Sequence, residues 1–250
     1  MNLRLSIALL LLAGLALPSP ALAGRVTVAV AANFAGTAQR LSDEFERLSG
    51  HEVDLVTGST GKHFAQIVNG APFDVLLAAD RARPEKLEQQ GLAVQGSRFT
   101  YALGRLVLWR PGGGVADGRA VLEAAAFRHL ALANPRLAPY GAAARETLVR
   151  MKLWDALQDH LVFGESVGQA FHFVAAGSAE LGFVALAQVR QAGAGPDSFW
   201  VVPETQHAAI EQQAVLLRDS KPAAAFLAFL RSAAGRALIT AGGYGVPDVH

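Results

Sequence analysis

The feature that most constrains this chain is a repeated succession of short apolar run, small-residue turn and amphipathic stretch. Its first copy, Arg25 to Phe34, reads Arg-Val-Thr-Val-Ala-Val-Ala-Ala-Asn-Phe, a β-branched run that stops at small residues and Asn33. From Thr37 to Leu48 the apolar residues Ala38, Leu41, Phe45 and Leu48 recur at helical steps, with Asp43, Glu44, Glu46 and Arg47 between them, and Gly50 closes the helix. His51 to Val56 predicts a second strand, Gly58-Ser59-Thr60-Gly61 a turn, and Phe64 to Val68 a helix. Phe73 to Asp80 predicts a third strand and Arg83 to Gln90 its helix, capped by Gly91. Strands alternating with helices build a parallel α/β sheet, and ligands of such sheets sit at the carboxyl ends of the strands, where the small-residue turns lie.

A second series follows the strand-like segment Arg98 to Trp109 and the loop Pro111 to Gly114. It comprises a helix Ala120 to Ala126, a strand His129 to Ala133, a helix Ala142 to Met151 behind Pro139-Tyr140-Gly141, a strand Leu161 to Phe163 and a helix Gln169 to Ala176. Strands Leu181 to Leu186, Phe199 to Val202 and Ala214 to Leu217 precede one last helix, Ala223 to Ile239, opened by Pro222. Tyr101 to Trp109 and Glu211 to Leu217 are the expected crossings between series. The expected organisation is two lobes of α/β type, 24–102 with 215–250 and 103–214, joined by a two-strand hinge over a cleft. A chain of 250 residues is long enough for both.

Residues 1–23 read as an export signal: a positive start at Met1 to Arg4, an apolar run Leu5 to Leu17 and Ala21-Leu22-Ala23 as cleavage site. There is no cysteine, hence neither a disulfide framework nor a lipid-modifiable residue behind the signal, and the expected compartment is the periplasm. Removing Arg4 leaves 21 basic and 21 acidic residues, a balance that gives no reason to expect nucleic acid or an anionic membrane as partner.

Four helix starts share a composition: Ala32-Asn33, Ser59-Thr60, Tyr140-Gly141 and Ser166-Val167, two from each series. Asn33 reads as the N-cap of its helix. The first N–H groups of a helix lack intrahelical acceptors and carry the positive end of the helix dipole. Brought to one cleft, these starts would supply N–H groups and hydroxyls without a cationic side chain, which suits a small compact oxyanion. Each hydrogen bond to a charged group contributes about 1.5–3 kcal/mol net, so five to seven of them support binding tighter than about micromolar after association costs.

Val-Ala-Val-Ala-Ala-Asn-Phe from Val28, Gly-Ser-Thr-Gly-Lys at 58–62, Asn-Gly-Ala-Pro-Phe-Asp-Val at 69–75 with Ala-Ala-Asp after it, and Leu-Gly-Phe-Val-Ala-Leu-Ala-Gln-Val at 181–189 resemble the periplasmic molybdate-binding proteins of ABC transporters. The resemblance spans the chain after the signal. It implies the two-lobed type II periplasmic binding fold, each lobe a mainly parallel sheet, and a non-enzymatic monomer that captures molybdate or tungstate and hands it to a membrane permease. It implies no cofactor and no direct cation site. The oxyanion-binding positions it implies are Ala32, Asn33, Ser59, Thr60, Tyr140 and, through its N–H, Val167. Two positions depart from many members of that family: Asn33 stands where Ser is frequent, and Ala185 where some carry a ligand Tyr. The Tyr140 hydroxyl is expected to stand in for the one missing at Ala185.

The same residues admit rival readings. Gly164-Glu165-Ser166-Val167-Gly168 matches the nucleophile elbow of serine esterases, with Asp197 and His207 in suitable chain order, but no His-Gly-Gly oxyanion segment precedes it. Gly58 to Lys62 lacks the spacing of a phosphate-binding loop. The seven histidines form no metal-ligand pair; His63, His172 and His207 read as surface or partly buried, and Trp109, Trp154 and Trp200 as packing residues. Sulfate, chromate, phosphate or an organic acid would be alternative ligands; an organic carboxylate would call for an Arg that none of the four junctions offers.

Overall fold

A computed structural model describes residues 23–247, so the export-signal reading of 1–23 falls almost wholly outside the described residues. The first series supplies β1 (Arg25–Ala31), a 3-10 turn (Ala32–Phe34), α1 (Ala35–Ser49), β2 (Glu52–Gly58), α2 (Thr60–Val68), β3 (Val75–Leu77), α3 (Ala82–Gln89) and β4 (Phe99–Gly104). Then come β5 (Leu106–Trp109), α4 (Gly118–Ala124), β6 (Leu130–Ala133), α5 (Pro139–Arg150), β7 (Leu161–Gly164), α6 (Val167–Ala175), β8 (Leu181–Ala185), α7 (Leu186–Gln191) and β9 (Phe199–Val201). The chain closes with β10 (Ile210–Leu216), α8 (Lys221–Arg231) and α9 (Ala233–Ala241).

These strands form two five-stranded sheets, in the orders β2-β1-β3-β10-β4 and β7-β6-β8-β5-β9. In each, three neighbours run parallel and the fourth strand is antiparallel to both strands beside it. The sheets are therefore mixed around a parallel half, because the fourth strand arrives by direct passage from the other sheet instead of through a crossover helix.

β1 shows why its sequence makes a central strand. Val26, Val28 and Val30 are fully buried on one face with Phe34, Leu41, Phe45 and Phe226, while Ala29 packs on the other with Ile67, Leu76 and Leu87. Apolar residues on both pleats, with helices over both faces, are what an α/β sheet demands. The second sheet is built alike, its Leu106, Leu108, Leu130, Leu132 and Phe183 lying in one core with Tyr140, Leu148 and Val167.

The chain passes between sheets twice. The expected strand Arg98 to Trp109 is broken at Arg105: β4 belongs to the first sheet and β5 to the second. The return lies in residues 202–209, since β10 pairs along its length with β3 and β4; it comes ahead of the expected change at 214/215. The expected single last helix is two. The Ser232 hydroxyl accepts from the Gly235 N–H at 3.1 Å and starts α9 afresh, bent by 65° from α8. No single helix among the described residues is long and apolar enough to cross a membrane.

Candidate oxyanion site

The helix starts that follow parallel strands β1, β2, β6 and β7 carry the residues singled out in the sequence. Where the two halves of the chain face each other, Ala32, Asn33, Ser59, Thr60, Tyr140 and Val167 line a single small hollow, together with Ala31, Ala79, Ala138, Pro139 and Ser166. All six residues singled out in the sequence meet here. Its empty space is about 180 Å³, and a water-sized sphere has almost no freedom within it. No charged side chain among the described residues lines it. A wider cleft with about 1420 Å³ of empty space opens beside it and carries Lys62 and Glu165 from opposite halves, paired at 3.8 Å.

Each helix start is fixed locally. The Ser59 hydroxyl caps α2 by accepting from the Lys62 N–H at 3.4 Å, and the Ser166 hydroxyl caps α6 by accepting from Gln169 N–H at 3.2 Å. The Thr60 hydroxyl accepts from the Ala79 N–H at 3.0 Å and keeps its own proton to donate. In the second half, Leu137 and Ala138 donate to the Asn134 carbonyl at 3.0 and 2.9 Å, a turn that hands the chain to Pro139, suited to a first helical position. Thr60, Tyr140 and Val167 stand in first turns, where the N–H has no acceptor inside its helix.

Asn33 departs from its expected role. It does not cap a helix; the Ala32–Phe34 turn has Ala31 at its N-cap. Its amide instead turns into the first half, donating from Nδ2 to Gln212 Oε1 at 2.7 Å and to the Tyr244 hydroxyl at 3.2 Å, while that hydroxyl donates to the Asn33 carbonyl at 2.5 Å. Tyr101 donates to the Ala78 carbonyl at 3.2 Å and borders the same network through Gln212 Oε1. Asn33 thus faces the hollow with its backbone. Its Oδ1 and the Tyr140 hydroxyl are both buried without a hydrogen-bond partner of good geometry, and the Asn33 side chain lies near enough to Tyr140 to act on its phenol. Tyr140 also packs its hydroxyl against Gly104, at the break between β4 and β5, where a Cβ would overlap it.

The titratable groups nearby are held neutral. Burial pushes the Tyr140 and Tyr101 phenols well above their ordinary range, with neighbouring tyrosines adding to it, and burial does the same to Tyr244. His63, on α2, is buried rather than at the surface. It lies 3.2 Å from the Val30 carbonyl and 3.1 Å from Gln66 Oε1, and burial lowers its pKa. Ala185 is buried at the end of β8 and is not among the lining residues. Ser166 lies at the hollow as a helix cap, and no histidine or carboxylate hydrogen-bonds its hydroxyl among the described residues, which leaves the esterase reading without its base.

Residues 26–245 match the model of the family described as bacterial extracellular solute-binding protein. The molybdate-binding protein ModA of Azotobacter vinelandii is 48% identical over 229 residues, covering 90% of this chain and 91% of that one. ModA of Rhodobacter capsulatus is 42% identical over 240 residues, with 95% and 94% covered. Among solved structures, the periplasmic molybdate-binding protein of Azotobacter vinelandii superposes with a TM-score of 0.85 over 89% of this chain and all of that one. The sulfate-binding protein SubI of Mycobacterium tuberculosis, 16% identical with a TM-score of 0.70, shares the fold. The chain belongs to the bacterial extracellular solute-binding proteins, in the group of the molybdate-binding proteins.

Proposed function

We propose that this protein is a periplasmic receptor that encloses molybdate or tungstate between two lobes and delivers it to an ABC permease. The observation that carries the reading is the meeting of four helix starts, two from each half, on one small hollow with no charged side chain. A doubly negative ion there exchanges its water for N–H groups of Asn33, Thr60, Tyr140 and Val167 and the hydroxyls of Ser59 and Thr60, with Ala32 shaping the wall. Main-chain donors and helix dipoles balance the charge without a counter-cation. The Tyr140 hydroxyl is the further donor, taking the place of one at Ala185.

The lobes on this reading are 24–102 with the C-terminal segment and the stretch between the two crossings, closing by rotation at the β4–β5 break and at 202–209. The export signal is removed after Ala23, and the mature protein acts as a monomer without catalysis. Calorimetric titration of the mature protein with molybdate, tungstate, sulfate and phosphate tests the ligand. Binding of the first two at submicromolar concentration, with sulfate and phosphate far weaker, is the expected result, and preference for sulfate or no binding at all refutes it. Solution scattering is expected to show a smaller radius of gyration on adding molybdate.

A further inference from the structure

Two glycines stand where the halves touch around the hollow. The Gly61 N–H, in the first turn of α2, donates to the Leu137 carbonyl of the second half at 2.8 Å. A Cβ built on Gly61 would lie 2.7 Å from that carbonyl oxygen, 3.0 Å from the Leu137 Cα and 3.2 Å from its carbonyl carbon. These three nearest atoms are all backbone of the opposite half, which has no flexible end to swing aside. Gly168, in the first turn of α6, makes the reciprocal approach more loosely, its Cβ position falling 3.2 Å from the Ala32 Cβ.

We propose that Gly61 is a positioning residue for ligand capture: its bare backbone is what allows α2 and the turn before α5 to meet over the anion, and its amide bonds the closed pair together. The proposal rests on the two-lobed closure described above. Gly61 touches the anion through nothing of its own. It acts by letting Thr60 and Tyr140, on either side of the Gly61–Leu137 contact, reach the hollow at the same time.

Within its own half Gly61 carries no such restriction. Its backbone does not take a positive φ, and a helical alanine is favoured over glycine. The two effects of Gly61→Ala therefore have opposite signs: the ligand-free protein melts at the same temperature or higher, while closure is obstructed.

The test compares wild type, Gly61→Ala and Gly168→Ala by thermal melting without ligand, by molybdate titration and by solution scattering with and without saturating molybdate. Gly61→Ala is expected to weaken molybdate binding tenfold or more, to keep or raise the ligand-free melting temperature, and to lose most of the ligand-induced compaction; Gly168→Ala is expected to fall between it and wild type. Wild-type affinity in Gly61→Ala overturns the proposal. So does a lowered melting temperature or failure to fold, since either makes Gly61 a requirement of the first half itself. If wild type binds neither molybdate nor tungstate, it is the receptor function that falls instead.

Discussion

The two sheets repeat one strand plan, yet the halves of the hollow they support are furnished differently. The first half brings hydroxyls, Ser59 and Thr60, and ties Asn33 into a buried polar network with Gln212, Tyr101 and Tyr244. The second half brings backbone, presented by Pro139-Tyr140 and Ser166-Val167 over an almost wholly apolar core. The same scaffold thus holds a donor by side-chain wiring on one side and by helix geometry on the other. Side-chain donors are open to substitution one at a time, whereas main-chain donors are lost only when the helix start itself is disturbed.

That difference sets an order of effects. The largest is expected for Gly141→Ala, because a Cβ there would lie 2.1 Å from the Ala133 carbonyl oxygen of β6, inside the second half. Overpacking of this kind costs about 1–3 kcal/mol, occasionally more, and lowers the melting temperature by roughly 2–4 °C per kcal/mol in a chain of this size. Thermal denaturation without ligand measures it. Next comes Thr60→Ala, which removes a hydroxyl donor and strands the Ala79 N–H: molybdate affinity is expected to fall about tenfold to a hundredfold. Val167→Ala, which keeps its N–H, should stay within about twofold of wild type by the same titration. Equal losses in the two variants would erase the contrast between halves.

Tyr140→Phe decides whether the second half also contributes a side chain. A loss of about tenfold is expected if its unpaired hydroxyl donates to the anion, and unchanged affinity would return that half to pure backbone. A pH effect is expected in the first half. Burial holds the His63 pKa below its ordinary 6.5, so the folded protein resists a proton that the unfolded chain accepts. Stability from this group is whole above about pH 6.5 and is lost as pH falls from there toward the lower folded value, and His63→Gln should flatten that part of a melting-temperature profile. The smallest effect is expected for Lys62→Ala. Its 3.8 Å pair with Glu165 joins the halves at an exposed position, so affinity should change less than about twofold and the change should vanish at high salt.

Much of this was legible in the chain. The small-residue helix starts, the two series and the meeting of Ala32, Asn33, Ser59, Thr60, Tyr140 and Val167 follow from local pattern joined to the rule that parallel strands expose their carboxyl ends together. What escaped depends on distant partners. Asn33 reads as a cap because its neighbours are small, but Gln212 and Tyr244, more than 170 residues away in sequence, capture its amide first. Ser166 reads in the sequence both as one of the four helix starts and as a rival nucleophile, and only its cap bond to the Gln169 N–H decides between the two. The break at Ser232 was hidden by the unbroken apolar periodicity around it, and β10 was begun too late because Gln212 and Gln213 look solvated while both are buried.

The strand exchange has a consequence for how the chain acquires its shape. β10 sits between β3 and β4, so the first sheet keeps a gap until residue 216 is available, long after its other four strands have been made. Pairing over such separations is slow. A nascent chain shorter than this holds an unfinished N-terminal half, and the last strand to arrive is the one that locks the earliest strands in place.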